Sequence, residues 1–190
     1  MRLPGPGRAP RVAAAIAAAA VLAAPATSAA QGAACSQTTL TAAAASEATV
    51  RDAVRCLVNA TRAQHGLPAL NESGRLTAAA DRHGADMVRR GYFAHVSPGG
   101  HDVTDRVRET GYLAGGGEWA LGEDIGWGTA QLGSPAAIVQ SWMSSPPHRA
   151  VILSRRFSEV GVGLARGVPV NGGGGAEAGA TYVLDAGSAR

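Results

Sequence analysis

The sequence predicts an α+β fold, and three observations carry the prediction. Beyond residue 46, apolar residues recur at three- and four-residue steps through two successive segments, the mark of amphipathic helices. Two β-like runs close the chain, one on each side of a glycine-rich stretch. Helices therefore precede strands instead of alternating with them. That order favours α+β, or a helix–sheet–helix sandwich, over a doubly wound parallel sheet.

Residues 1–30 read as a secretory leader. Arg2, Arg8 and Arg11 form a basic start, Val12 to Ala24 is apolar, and Ser28-Ala29-Ala30 supplies the small residues of a cleavage site. The apolar run falls short of the ~20 residues a membrane-spanning helix needs, and no later run approaches that length. The mature chain is expected to be secreted, with no stable membrane insertion. Residues 31–45, rich in Ala, Thr and Ser, read as a flexible tail. Residues 46–190 are of a size for one domain.

Val50, Val54, Leu57, Val58 and Thr61 place a first helix from Ser46, stopped by Gly66 and Pro68. A second helix is expected from about Ser73, with Leu76, Ala79, Ala80, His83 and Met87 on one face and Gly91 past its end. Tyr92 to Gly100 reads as a loop with a Ser-Pro-Gly-Gly turn. A short helix follows from Asp102 to Thr110. Trp119 to Trp127 alternates poorly and is expected to be an extended loop. Ser134-Pro135 is a clear helix start, a hydroxyl N-cap followed by proline at the first helical position. Pro146-Pro147 ends that helix, and His148 to Ser154 forms another helical turn. Val160 to Ala165 and Ala180 to Ala186 are the strands, joined by a loop centred on Asn171 to Gly175.

The formal net charge of +3 belongs to the leader, whose three arginines face no acid. What remains is near neutral, which argues against nucleic-acid binding or a polybasic membrane surface. Cys35 and Cys56 are the only cysteines. In an exported protein they suit a single disulfide. A lipid-modified Cys35 and two free thiols are the other readings; the first lacks a bulky aliphatic residue three positions upstream.

Several motifs in order resemble a known family. They are Asn59-Ala60-Thr61-Arg62, Gly66-Leu67-Pro68-Ala69-Leu70, and Gly91-Tyr92-Phe93-Ala94-His95 with Ser97-Pro98. Gly122-Glu123-Asp124-Ile125, Trp142 through Arg149, and Gly161-Val162-Gly163 continue the series. From Val50 to Gly187 the chain is similar to bacterial domains of the CAP superfamily, relatives of cysteine-rich secretory proteins, venom antigens and plant pathogenesis-related proteins. The resemblance implies a three-layer α-β-α sandwich with a central antiparallel sheet. It also implies a cleft of two His and two Glu that holds a divalent metal in some members. Carried over, these fall on His95, Glu123 and His148, while the second Glu position holds Ser145. Glu123 sits in Gly-Glu-Asp instead of the commoner Gly-Glu-Asn.

If these groups converge, two imidazoles and a carboxylate offer ligands suited to zinc, with a position left for water. Hydrolysis needs a general base as well, and Ser145 cannot serve as one at neutral pH. Each residue also has an ordinary structural use: His95 bonding backbone, His148 opening a helix, Glu123 accepting N–H groups. His83, on the apolar side of the second helix, reads as a core or cleft-edge residue. Trp142 reads as core. The favoured expectation is a monomeric, non-enzymatic extracellular binding module for a small ligand, lipid or cell-wall component. A zinc-dependent peptidase-like hydrolase and an interaction domain with a vestigial cleft are the alternatives.

Overall fold

The computed structural model describes residues 35–170 and 179–190. The leader expected over residues 1–30 and the centre of the glycine-rich loop lie outside them.

Helix α1, Glu47–Gln64, begins where the Ser46 hydroxyl accepts the Thr49 N–H. Its Val50, Val54 and Val58 face inward, as their spacing dictates. One turn further along the same stripe sits Arg62, fully buried. Its guanidinium donates to the carbonyls of Pro68 (2.9 Å), Ile152 (2.7 Å) and Ser154 (2.8 Å), tying the end of α1 to two distant turns. Strand β1, Asn71–Glu72, follows, then helix α2, Gly74–Arg90, capped by Ser73 and closed by Gly91. Helix α3, Val103–Glu109, starts on a reciprocal Asp102–Asp105 capping box.

Strand β2 spans Trp119–Thr129 and pairs along its whole length with β4, Gly179–Ala189. The extended loop expected for Trp119 to Trp127 is thus corrected to a strand. Its glycines hide the β pattern, and they are there because the neighbours leave no room. A Cβ at Gly122 would come within 2.8 Å of the Phe157 ring, and one at Gly126 within 3.1 Å of Trp142. A 3-10 turn, Ala130–Gly133, leads to α4, Pro135–Ser144, and α5, Pro146–Ile152. Strand β3, Glu159–Arg166, completes the set.

The sheet order is β1-β3-β4-β2. The three long strands are antiparallel, and the two-residue β1 joins β3 in parallel, so the sheet is mixed at one edge. One face carries Val160, Val162, Leu164, Tyr182, Leu184 and Ala186 against α1, α4 and α5. The other face carries Val183 and Ile125 towards α2, and α3 lies beyond on the same side. This is an α-β-α sandwich. Helix α2 lies so close to β3 that a Cβ at Gly161 would stand 2.1 Å from the Thr77 nitrogen, so larger residues there would prise the layers apart.

Residues 35–45 contain no helix or strand, yet they are fastened to the domain. Ala42 is buried in the main core, Thr38 accepts the Ala136 N–H, and Arg166 donates to the Ala42 and Ala45 carbonyls. Cys35 and Cys56 form a disulfide with a sequence separation of 21. Closing a loop of that length restricts the unfolded chain by about 3 kcal/mol. A Cys35→Ser/Cys56→Ser variant should therefore lose about that much stability in urea unfolding; an unchanged midpoint would mean the segment is anchored by its packing alone.

Candidate functional site

The loop after α2 carries His95, and two buried side chains hold it in place. His83 of α2 donates from Nε2 to the Ala94 carbonyl at 3.0 Å. Arg106 of α3 donates to the carbonyls of His95 (3.0 Å) and His101 (2.8 Å). The capping box that starts α3 sets Arg106 one turn in, facing the sheet.

Glu123 projects from the middle of β2 into the same space, its side chain 2% exposed. His95 Nδ1 donates to Oε1 at 2.8 Å, and Arg106 donates to Oε2 at 2.6 Å. Burial on its own would raise the Glu123 pKa, but the His95 hydrogen bond and the Arg106 charge outweigh it and hold the carboxyl below its usual range. Directly across the ladder stands Asp185 of β4, fully buried. Among the described residues no donor reaches its oxygens. Burial first, and the Glu123 charge second, push it well above the usual carboxyl range, so it stays protonated. The pair thus carries one negative charge, and Arg106 balances it. His83, 1% exposed, is kept neutral chiefly by burial.

His95 and Glu123 are therefore joined directly. His148 lies in the first turn of α5, partly buried, and hydrogen-bonds neither of them. Burial, and to a lesser degree the neighbouring His95, lowers its pKa. Ser145, at the N-cap of α5, makes no side-chain capping bond. Trp142 is core, 1% exposed, its Nε1 donating to the Ile125 carbonyl.

Sequence reasoning overlooked Arg106 and Asp185. An aspartate inside the apolar run Ala180 to Ala186 was a legible signal, because a strand buried on both faces takes a carboxyl group only when it is partnered or kept protonated. Arg106 was not legible: an arginine on a short polar helix gives no sign of facing inward.

These residues do not fit a three-ligand metal centre. Both Glu123 oxygens are spent on Arg106 and His95, and among the described residues no group of three His, Cys, Asp or Glu is placed to hold an ion. Only His95 Nε2 and His148 remain as nitrogen donors, fewer than zinc sites ordinarily supply.

Fold and site define a sandwich domain in which a buried Arg106–Glu123 pair holds the half-exposed His95. The model of the cysteine-rich secretory protein family, CAP, matches residues 56–172, and the chain belongs to that family. It is 32% identical over 127 residues to the uncharacterised protein YkwD of Bacillus subtilis (66% of this chain, 46% of that protein). It is 33% identical over 110 residues to the uncharacterised membrane protein YlbC of the same organism (58% and 30%). The chain thus spans less than half the length of either relative. Among solved structures it is similar to an extracellular SCP-domain protein from Bacillus anthracis, with TM-score 0.54 and 23% identity, covering 75% of this chain and 43% of that one. An outer surface protein from Borrelia burgdorferi gives TM-score 0.58 and 13% identity over 72% and 90%. At those identities the two structures speak for the fold alone.

Proposed function

We propose that this chain is an exported binding module that holds a small ligand in the cleft of His95, Glu123 and His148 without turning it over. The occupancy of Glu123 carries this reading. A general base must reach the water it deprotonates, and this carboxylate is buried with each oxygen already bonded. Ser145, at the place of a second acid, adds only a hydroxyl. What the cleft offers to solvent is the His95 ring, 51% exposed, with Nδ1 committed to Glu123 and Nε2 free to accept. The partly buried His148 adds a second imidazole. Such groups can hydrogen-bond the hydroxyls and amides of a ligand.

The disulfide supports an oxidising compartment. Among the described residues no helix is long and apolar enough to cross a membrane.

The full chain should leave fluorescently labelled casein intact, with or without added zinc, and retain well under one zinc per chain after dialysis. Soluble muropeptides or sodium palmitate, representing cell-wall and lipid ligands, should shift the His95 and His148 imidazole resonances saturably. A His95→Ala/His148→Ala variant should weaken that binding at least tenfold. Casein cleavage abolished by His95→Ala, with stoichiometric zinc lost in His148→Ala, would establish the metal-dependent hydrolase instead. Shifts from neither probe would leave the interaction-domain reading.

A further inference from the structure

Between α2 and the turn at Ser97–His101 lies a cavity of about 480 Å³. Arg82, His83, Asp86, Arg89, Arg90 and Arg106 line it; His95, Glu123 and His148 do not. Two features make it more than a surface dent. His83 is 1% exposed, and its Nε2–H is committed to Ala94, which leaves Nδ1 as a bare lone pair. Nδ1 has no hydrogen-bond partner among the described residues, and neither has the buried Nε of Arg106. A buried polar atom without a partner costs free energy unless water or a ligand meets it. Both residues line the cavity, but the two atoms themselves are covered, so a ligand meets this unmet acceptor and donor through a small shift of the wall.

The rim is cationic. Arg82, Arg89 and Arg90 have side chains 43–69% exposed. The only carboxylate in the lining is Asp86, which already accepts from Arg89, from Arg90 and, at 2.7 Å, from the Tyr92 hydroxyl. Glu109 lies just outside, 4.0 Å from Arg82 and 3.5 Å from His101. The acidic charge is therefore more than matched by guanidinium, with Arg82 the least engaged.

We propose that this cavity is a binding site for a small hydroxylated anion, a sugar acid or a polyol phosphate. The anionic group meets the guanidinium rim, an alcohol donates to His83 Nδ1, and a ligand oxygen accepts from Arg106 Nε. A neutral sugar lacks the first contact and a simple carboxylate lacks the second. The site shares Arg106 and His83 with the supports of His95 but contains neither His95, Glu123 nor His148, and it does not rest on the function proposed for them.

The test titrates the full chain by calorimetry at fixed ionic strength with sodium glucuronate, glycerol 3-phosphate, glucose and sodium acetate. Saturable one-to-one binding is expected for glucuronate or glycerol 3-phosphate, and the stronger of the two identifies a carboxylate or a phosphate ligand. Glucose and acetate should bind at least tenfold more weakly. An Arg82→Ala/Arg90→Ala variant, altered only at exposed positions, should lose at least tenfold in affinity. His148→Ala should bind as the parent does, which separates this site from the cleft. In nitrogen-15 spectra the His83 Nδ1 resonance should move with saturation. Failure of both anions to bind, equal binding of acetate, or unchanged affinity in the arginine variant would overturn the proposal.

Discussion

Replacing Asp124 by asparagine should stabilise the protein at pH 7 by several kcal/mol and flatten part of its loss of stability between about pH 4 and pH 8. Asp124 follows Glu123 on β2, so its side chain points to the opposite sheet face, the one that α4 and α5 cover. It is fully buried, and neither carboxyl oxygen has a hydrogen-bond partner among the described residues. Burial, with the Glu123 charge as a lesser cause, raises its pKa to about 8. The folded protein therefore keeps a proton that the unfolded chain releases near pH 4. Each pH unit in that window costs the folded state about 1.4 kcal/mol, which accumulates to roughly 4 kcal/mol by pH 7. The sign is unambiguous: stability is greatest below the unfolded pKa and falls as pH rises to the folded value. Asparagine is neutral throughout and removes the slope. Asp185, raised for the same reason, should leave a residual slope of the same sign. Urea unfolding at pH 5, 7 and 8 measures both proteins. Parallel profiles would show that Asp124 is solvated or paired in solution.

Replacing Arg106 by methionine should destabilise the protein by about 3–5 kcal/mol at neutral pH, the usual cost of removing one member of a buried ion pair. Methionine fills much of the same space but leaves Glu123 charged against Asp185, and it also frees the two carbonyls that shape the His95 loop. The deficit should shrink in acid. Glu123 has a depressed pKa in the parent, so its contribution is present above the unfolded carboxyl pKa and disappears as pH falls through the folded one. A Glu123→Gln/Arg106→Met double variant should recover part of the loss, and the coupling between the two positions should exceed 1 kcal/mol. Additive effects would mean that Arg106 acts only through the loop carbonyls. The His95 ring should also lose order in the single variant, visible as broadened imidazole resonances.

Helices α1, α2 and α4 could be read from residue order because their signals are local. The stripe of Val50, Val54 and Val58, the hydroxyl caps at Ser46, Ser73 and Ser134, and the stops at Gly66 and Gly91 all act within a turn or two. Strand β2 could not be read. Its ladder is made by β4, some sixty residues away along the chain, and its glycines answer to Phe157 and Trp142, not to any local rule. The pairing of Cys35 with Cys56 was one of three readings until the folded segment brought them together.

The sequence by itself determined the order of the helices and the two closing strands, the near-neutral charge of residues 31–190, and the family to which the chain belongs. Tertiary structure alone decided what His95, Glu123 and His148 can do. It set Arg106 and Asp185 beside Glu123, saturated that carboxylate, and left His148 outside the cluster. The reason is physical: propensity and capping are energies of neighbours along the chain, whereas charge state and hydrogen-bond occupancy depend on groups that become neighbours only through the fold.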